Sequence, residues 1–165
     1  MTLKNCLFIL LMLVFFLKGT AQSQQEKEEK IRTLVNTEYN DIACECNFEV
    51  NAITDFNAKK EFWSICELKN GNRILKINSH DNDFYYEEIY FEKKGALIYA
   101  KETENYVPKN YFKQMSWHCE FYTKNGVLLT LISLGHGKTE DDNWNPDHIF
   151  DSYKKRLAEL KKIKK

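Results

Sequence analysis

The stretch that decides the fold runs from Met115 to Leu134 and reads MSWHCEFYTKNGVLLTLISL. Its first arm alternates apolar and polar residues, which is the pattern of a β-strand with one polar face. Asn125-Gly126 follows, and these residues favour the positive φ angles of a type I′ turn, so the stretch predicts a β-hairpin. Because the second arm, Val127–Leu134, is apolar on both faces, we expect a central strand that is covered on both sides.

Turns of the same kind divide the chain before this hairpin. Asn70-Gly71 and Lys94-Gly95 each separate aromatic or β-branched runs, and the polar residues from His80 to Asp83 supply a further turn. The predicted strands are Phe62–Leu68, Arg73–Asn78, Phe84–Glu92, Leu97–Thr103, Met115–Thr123 and Val127–Leu134. Strands joined in sequence by such short turns form an antiparallel β-meander, here of about five to six strands.

Helical periodicity appears on both sides of the predicted sheet. A helix is predicted from about Gln25 to Asn40, with an apolar face made of Ile31, Leu34, Val35 and Tyr39. A second helix is predicted to begin at Asn145-Pro146-Asp147, with Asn145 as the N-cap, Pro146 as the first helical residue and an acid in the first turn. Its apolar stripe consists of Ile149, Phe150, Tyr153, Leu157 and Leu160. The fold class predicted from the sequence is therefore α+β, an antiparallel meander flanked by an N-terminal and a C-terminal helix.

The first 21 residues have the pattern of a secretory signal peptide. Lys4 precedes an apolar run from Leu7 to Leu17, and Gly19-Thr20-Ala21 provides the small residues of a cleavage site. The run is shorter than the roughly 20 apolar residues that cross a bilayer. Cleavage after Ala21 would leave residues 22–165 as a single domain. We expect this domain to be periplasmic or secreted, without stable membrane insertion.

The remaining chain has four cysteines: Cys44, Cys46, Cys66 and Cys119. Residues from Ile42 to Val50 alternate apolar and polar, which predicts a strand or extended segment with Cys44 and Cys46 on one side. That arrangement is poor geometry for a bridge between these two cysteines. We therefore expect two disulfides, each joining one of Cys44 and Cys46 to one of Cys66 and Cys119, with both pairings open.

Charge and motifs exclude several classes of function. The chain has 24 basic and 24 acidic residues, so it lacks the electrostatic footprint of a nucleic-acid-binding protein. It contains no nucleophile elbow, P-loop or dinucleotide-binding fingerprint. Histidines and acids gather near the end of the chain, but their positions are typical of loops and helix caps: His136, Glu140, Asp141, Asp142, Asp147 and His148. The sequence predicts neither a metal nor a cofactor.

Aromatic residues supply the candidate binding surface. The chain contains 11 Phe, 9 Tyr and 3 Trp, and those on the strands exceed what one core face needs. Tyrosine and tryptophan are enriched at interfaces. The candidate binding residues are Tyr85, Tyr86, Tyr90, Tyr99, Tyr106, Tyr111 and Phe112. The partner would be a protein, a peptide or a small apolar ligand of the cell envelope, and an inhibitor or immunity protein belongs to this class.

A small periplasmic enzyme is the alternative hypothesis. It would be either a hydrolase that uses the acidic region around His136 and His148, or a thiol oxidoreductase that uses Cys44 and Cys46. Polar groups that converge in a pocket would favour an enzyme, whereas an open aromatic face would favour a binding protein.

Two hairpin sequences carry a resemblance to known proteins. They are YFEKKGALIY at residues 90–99 and EFYTKNGVLL at residues 120–129. Together with the lysine-rich final helix, they resemble a group of small exported proteins of Bacteroidota type, and the hairpins are loosely similar to MORN repeats. The resemblance covers residues 26–165 and implies an exported domain. It assigns no activity and no residue roles.

Overall fold

The computed structural model describes residues 3–56 and 59–164, and the side chains of residues 24–55 and 59–164. The predicted signal peptide lies outside the residues whose side chains are described, and it stays a prediction. The two helices are α1, Leu3–Glu45, and α2, His148–Ile163. The strands are β1 (Ala52–Phe56), β2 (Lys59–Glu67), β3 (Asn72–Asp81), β4 (Phe84–Lys93), β5 (Ala96–Tyr106), β6 (Met115–Lys124) and β7 (Val127–Gly135).

The strands form one antiparallel sheet in the order β1-β2-β3-β4-β5-β6-β7. Each strand therefore pairs with its neighbour in sequence, and the predicted α+β meander between two helices is confirmed. The sheet has seven strands, so the expected number of five to six is corrected. All six predicted strands are present, and the additional one is β1. Its five residues, AITDF, are too few for their alternation to stand out in the sequence.

Two of the predicted hairpin turns have the expected backbone geometry, whereas at Asn70-Gly71 only Gly71 has a positive φ, of 81°. Lys94 and Gly95 have φ angles of 50° and 84°, and Asn125 and Gly126 have φ angles of 53° and 74°. Two consecutive residues with positive φ define a type I′ turn, whose twist matches that of the flanking strands. These turns set the register at the tips of the β4–β5 and β6–β7 hairpins, and a bulge in each hairpin shifts it further along the strands.

Helix α1 crosses one face of the sheet near one end. The Tyr122 hydroxyl of β6 donates to Asn36, and the Tyr39 ring lies 5.1 Å from the Tyr99 ring of β5. The helix therefore runs across the strands from β6 towards β2. The core beneath it contains Ile42, Cys66, Ile74, Ile89, Phe91, Tyr99 and Tyr122. We call this face of the sheet the α1 face.

Helix α2 covers the opposite face, which we call the α2 face. The core on this side includes Trp63, Leu75, Ile77, Tyr90, Trp117, Cys119, Phe121, Ile149, Tyr153 and Leu160. The helix begins two residues later than predicted, at His148 with Asp147 as its N-cap, and the Asn145 side-chain oxygen accepts a hydrogen bond from the Asp147 N–H at 3.0 Å in the turn before it. The domain thus has three layers, with the sheet in the middle.

The strand β7 is at an edge of the sheet, which corrects the expectation of a central strand. It pairs with β6 alone, and none of its residues is fully buried. A meander places its last strand at the edge by topology, whatever the hydrophobicity of that strand. Residues 127–134 are as apolar as predicted, but nothing described here covers the outer side of the strand.

The segment from Ile42 to Val50 was predicted to be a strand or extended segment, but it forms no strand. Helix α1 continues through Glu45, because Ile42 extends the apolar face of Val35 and Tyr39 at helical spacing and is buried in the core. Residues 46–51 belong to no helix or strand. They are held to β2 by single hydrogen bonds, such as that from the Ser64 hydroxyl to the Phe48 carbonyl at 3.0 Å.

Candidate functional site in the uncovered part of the sheet

One of the two predicted disulfides is present. Cys46, directly after α1, is bonded to Cys66 in β2, with the two Cα atoms 5.7 Å apart. The bond fastens the end of α1 to the α1 face of the sheet. A disulfide is consistent with an oxidising compartment, as expected for an exported protein.

The second disulfide is absent, and the prediction of two is corrected. Cys44 is exposed in the last turn of α1, whereas Cys119 is buried on the α2 face. The sheet itself therefore separates the two thiols. Burial raises the pKa of Cys119 to about 12, so this thiol is not a nucleophile at neutral pH. Cys44 and Cys46 cannot act together as a redox-active dithiol, because Cys46 is bonded to Cys66.

Charged residues on the α2 face form a network that the sequence analysis did not predict. Arg156 of α2 lies among three glutamates, at 3.0 Å from Glu61, 2.5 Å from Glu88 and 2.7 Å from Glu159. Burial works against the charge of Arg156, but its hydrogen bonds to Glu88 and Glu159 outweigh this and raise its pKa. A signal was present in the sequence, since Arg156 falls within the apolar stripe of α2, three residues after Tyr153.

A second part of the same network surrounds Glu102. His148 Nε2 lies 3.0 Å from Glu102 Oε1, and Lys138 Nζ lies 3.3 Å from Glu102 Oε2. Burial would raise the pKa of Glu102, but the hydrogen bond from His148 and the charge of Lys138 hold it below its usual value. The hydrogen bond to Glu102 in turn raises the pKa of His148.

Both ring nitrogens of His148 are occupied, which argues against a role as a catalytic base. Nδ1 lies 2.9 Å from the Asn145 carbonyl oxygen, and Nε2 faces the Glu102 carboxylate. Two acceptors favour the doubly protonated imidazolium, which has no free lone pair. His148 thus links the start of α2 to the sheet. The other histidine of the hydrolase hypothesis, His136, pairs on the surface with Glu140 at 2.6 Å.

No group of three or more His, Cys, Asp or Glu side chains is placed to hold a metal ion within the described part of the chain. Asp141 accepts hydrogen bonds from Asn143, and Asn145 accepts one from the Asp147 N–H, as is typical of turn residues. The described helices include none that is long and apolar enough to cross a membrane.

The predicted aromatic binding residues do not form one surface. Tyr90 is 1% exposed in the α2-face core and Tyr99 is 3% exposed in the α1-face core, so neither can contact a partner, and their prediction is corrected. Tyr86 and Tyr106 flank Phe84 on the α2 face, and the Phe84 and Tyr106 rings lie 4.7 Å apart. The alternation along each strand divides these residues between two sides of the sheet.

The exposed members of the set gather at one end of the sheet. Tyr85, the second residue of β4, is 50% exposed. Tyr111 and Phe112 lie in the loop between β5 and β6 and are 73% and 95% exposed. Both connections lie at the end of the sheet that is opposite to the Gly71, Gly95 and Gly126 turns, because strands alternate in direction. Helix α1 crosses the sheet at the other end and leaves this one uncovered.

A groove of about 350 Å³ lies on this uncovered part of the α1 face. We call it the open surface, and its side chains on the α1 face are Phe62, Asn78, His80, Tyr85, Glu87, Thr103 and Asn105. The register aligns these residues in two cross-strand rows, Asn78 with Glu87 and Thr103, and His80 with Tyr85 and Asn105. The volume is within the range of ligand sites in proteins, about 300–1,000 Å³.

The open surface combines aromatic and polar groups. The His80 and Tyr85 rings are stacked with centroids 6.1 Å apart. Glu87 pairs with Lys76 at 2.8 Å, and Asn105 accepts a hydrogen bond from Ser116. The Thr103 hydroxyl is buried and has no hydrogen-bond partner among the described residues. Of the predicted binding residues, Tyr85 therefore lies beside polar groups that can orient a ligand. The sequence did not indicate these polar groups, because their convergence depends on the register of three strands.

No protein-family model, no curated protein and no solved structure matches this chain.

Proposed function

We propose that this protein is an exported, non-catalytic binding protein whose open surface recognises a peptide or a protein segment. The single observation that carries this proposal is that α1 covers only one end of the α1 face. At the other end, an aromatic and polar groove of about 350 Å³ stays accessible. A sheet face without a partner layer is otherwise unfavourable, because its side chains stay in contact with water.

The chemistry of the groove supports a peptide as the ligand. The stacked rings of His80 and Tyr85 offer an apolar platform. The amides of Asn78 and Asn105 offer both donors and acceptors, which match the donors and acceptors of a peptide backbone. The exposed Tyr111 and Phe112 in the neighbouring loop add further aromatic area of the kind that is enriched at interfaces.

The enzyme hypothesis has less support from the same geometry. His148, Glu102, Glu88 and Arg156 are all engaged in ion pairs between α2 and the sheet. These contacts account for the residues as groups that hold the two layers together. Such groups would need to leave their partners in order to act on a substrate.

Variants on the open surface test the proposal. The mature protein is immobilised and exposed to the envelope fraction of its own cells, and captured proteins are compared between variants at equal loading. We expect Tyr85→Ser and Asn78→Asp to abolish capture of the specific partner. The matched control is Leu34→Ser, because Leu34 is 70% exposed and does not line the groove, which also corrects its predicted place on the apolar face of α1.

The same assay distinguishes binding from catalysis. His136→Ala and His148→Ala should leave capture and the cellular phenotype nearly unchanged, provided the variants are as abundant as the wild-type protein. Loss of the phenotype from a stable His148→Ala variant, together with normal behaviour of Tyr85→Ser, would refute the binding proposal and favour an enzyme.

A further inference from the structure

The edge strand β7 lacks most of the features that normally prevent sheet edges from pairing, although it contains a bulge at Leu129. Its nine residues, VLLTLISLG, contain no charged residue and no proline. Natural edge strands are usually short, or carry charges, proline or a covering element. Among the described residues, nothing pairs with the outer side of β7. An uncharged strand of this length exposes a row of unpaired backbone N–H and C=O groups.

The opposite edge of the same sheet differs in length and in charge. Strand β1 has five residues and includes Asp55. The C-terminal end of α2 lies across a groove from it, with Thr54 on one side and Ile163 on the other. The chain therefore has one short, charged edge and one long, uncharged edge. This asymmetry indicates that β7 has a partner.

The side chains of β7 support the same conclusion. Val127 is 60% exposed and Leu134 is 56% exposed, although both are apolar. Leu131 and Ile132 are only partly buried, one against each of the two cores. The apolar character on both faces is that of a strand inside a sheet. Within a single copy of the chain, β7 has a neighbour on one side only.

We propose that β7 pairs with β7 of a second copy of this chain, antiparallel and about a two-fold axis. Such pairing joins two seven-stranded sheets into one continuous sheet and makes each β7 an inner strand. An isologous contact places the same surface opposite itself, so a charged strand would repel its copy. Because β7 is uncharged throughout, it meets no such repulsion.

One irregularity defines the part of β7 that pairs. Tyr122 is opposite Thr130 and Thr123 is opposite Leu128, so Leu129 is an extra residue in the β6–β7 ladder. A bulge bends the strand locally and interrupts pairing. The regular part is residues 130–135, which is long enough for the strand pairing seen in globular proteins, about 5–6 residues. The proposal does not depend on the ligand of the open surface.

The oligomeric state tests the proposal. We expect light scattering during size-exclusion chromatography to give the mass of a dimer for the mature protein, with dissociation on dilution. Leu134→Lys places a charge from each copy at the new interface, and it should weaken dimerisation at least about tenfold, or 1.4 kcal/mol. The matched control is Ile53→Lys on the opposite edge strand β1, where the exposed fraction is a similar 61%, and this variant should remain dimeric.

Hydrogen exchange provides a second measurement that does not rely on a variant folding. The outward-facing amides of residues 130–135 should be protected in concentrated wild-type protein and lose that protection on dilution. A wild-type protein that is monomeric at every concentration would overturn the proposal. The pairing partner of β7 would then be a strand of a different protein. A dimer that Ile53→Lys disrupts and Leu134→Lys does not would also overturn it.

Discussion

Glu88 and Glu102 lie directly opposite each other on the neighbouring strands β4 and β5, and both side chains lie on the α2 face. Like charges in such a pair are destabilising unless cations compensate them. Arg156 forms an ion pair with Glu88, while His148 and Lys138 form ion pairs with Glu102. Two of these three cations come from α2, so the ion pairs link this helix to the charges of the sheet.

Arg156→Met should destabilise the protein strongly. The substitution keeps an unbranched side chain but leaves Glu61, Glu88 and Glu159 without their cation, and breaking a buried ion pair typically costs about 3–5 kcal/mol. Lys154→Met is the control on the same helix, because the Lys154–Asp151 pair is exposed and such pairs contribute at most about 1 kcal/mol. Urea denaturation measures both. Equal losses for the two variants would show that the network does not stabilise the docked helix.

The pair of His148 and Glu102 should make stability depend on pH. The raised pKa of His148 means that its contribution is complete below its ordinary value of 6.5 and is lost as the pH rises through the raised value. The lowered pKa of Glu102 means that its contribution is present above 4.5 and is lost as the pH falls through the lowered value. The pair therefore stabilises the fold most between about pH 4.5 and 6.5.

His148→Gln isolates this effect. The difference in unfolding free energy between the wild-type protein and the variant should be largest between those two pH values and shrink towards pH 9. His136→Gln is the control, because the pair of His136 and Glu140 is exposed, and its substitution should change stability little at any pH. A wild-type advantage over His148→Gln that stays constant from pH 5 to 9 would contradict the assignment of His148 as an imidazolium.

The cysteines should react in a defined order. In the native protein an alkylating reagent should modify Cys44 alone, since Cys119 is buried and its pKa is raised to about 12. Unfolding without reductant should expose one further thiol, and reduction should release Cys46 and Cys66. Intact mass measurement counts each step. Two disulfides in the native protein would restore the pairing expected from the sequence and contradict the structure.

Loss of the Cys46–Cys66 bond should lower the free energy of unfolding, because the unfolded chain gains conformational entropy without the bond. The bond closes a loop between residues separated by 20 positions, which corresponds to about 3 kcal/mol in the chain-entropy description. Cys66→Ser should therefore shift the denaturation midpoint clearly, whereas Cys44→Ser should not.

Export stays a prediction of the sequence alone. N-terminal sequencing of the protein recovered from cells should start at or near Gln22, because Gly19-Thr20-Ala21 directly follows the apolar run. Recovery of the intact Met1 form from the cytosol would contradict it and would also remove the compartment in which the disulfide is stable.

The candidate site was predictable only in part. Tyr85 was predicted because the aromatic residues on the strands exceed what one core face needs, and it is exposed, but Tyr90 and Tyr99 met the same criterion and are buried in two different cores. Composition counts aromatic residues without assigning them to a face. Asn78, Thr103 and Asn105 were missed altogether, since their proximity to Tyr85 exists only through the strand register.

The sequence by itself determined the local structure: the type I′ turns at Lys94-Gly95 and Asn125-Gly126, the period of each strand and the two apolar helix faces. These depend on residues that are neighbours in the chain. Only the tertiary structure decided that Cys66 bonds Cys46 while Cys119 stays free. It also decided that Arg156 lies among three glutamates and that the apolar strand β7 lies at an edge of the sheet. Each of these depends on which face of the sheet a helix covers and where the meander ends, and residues far apart in sequence meet only after those choices are made.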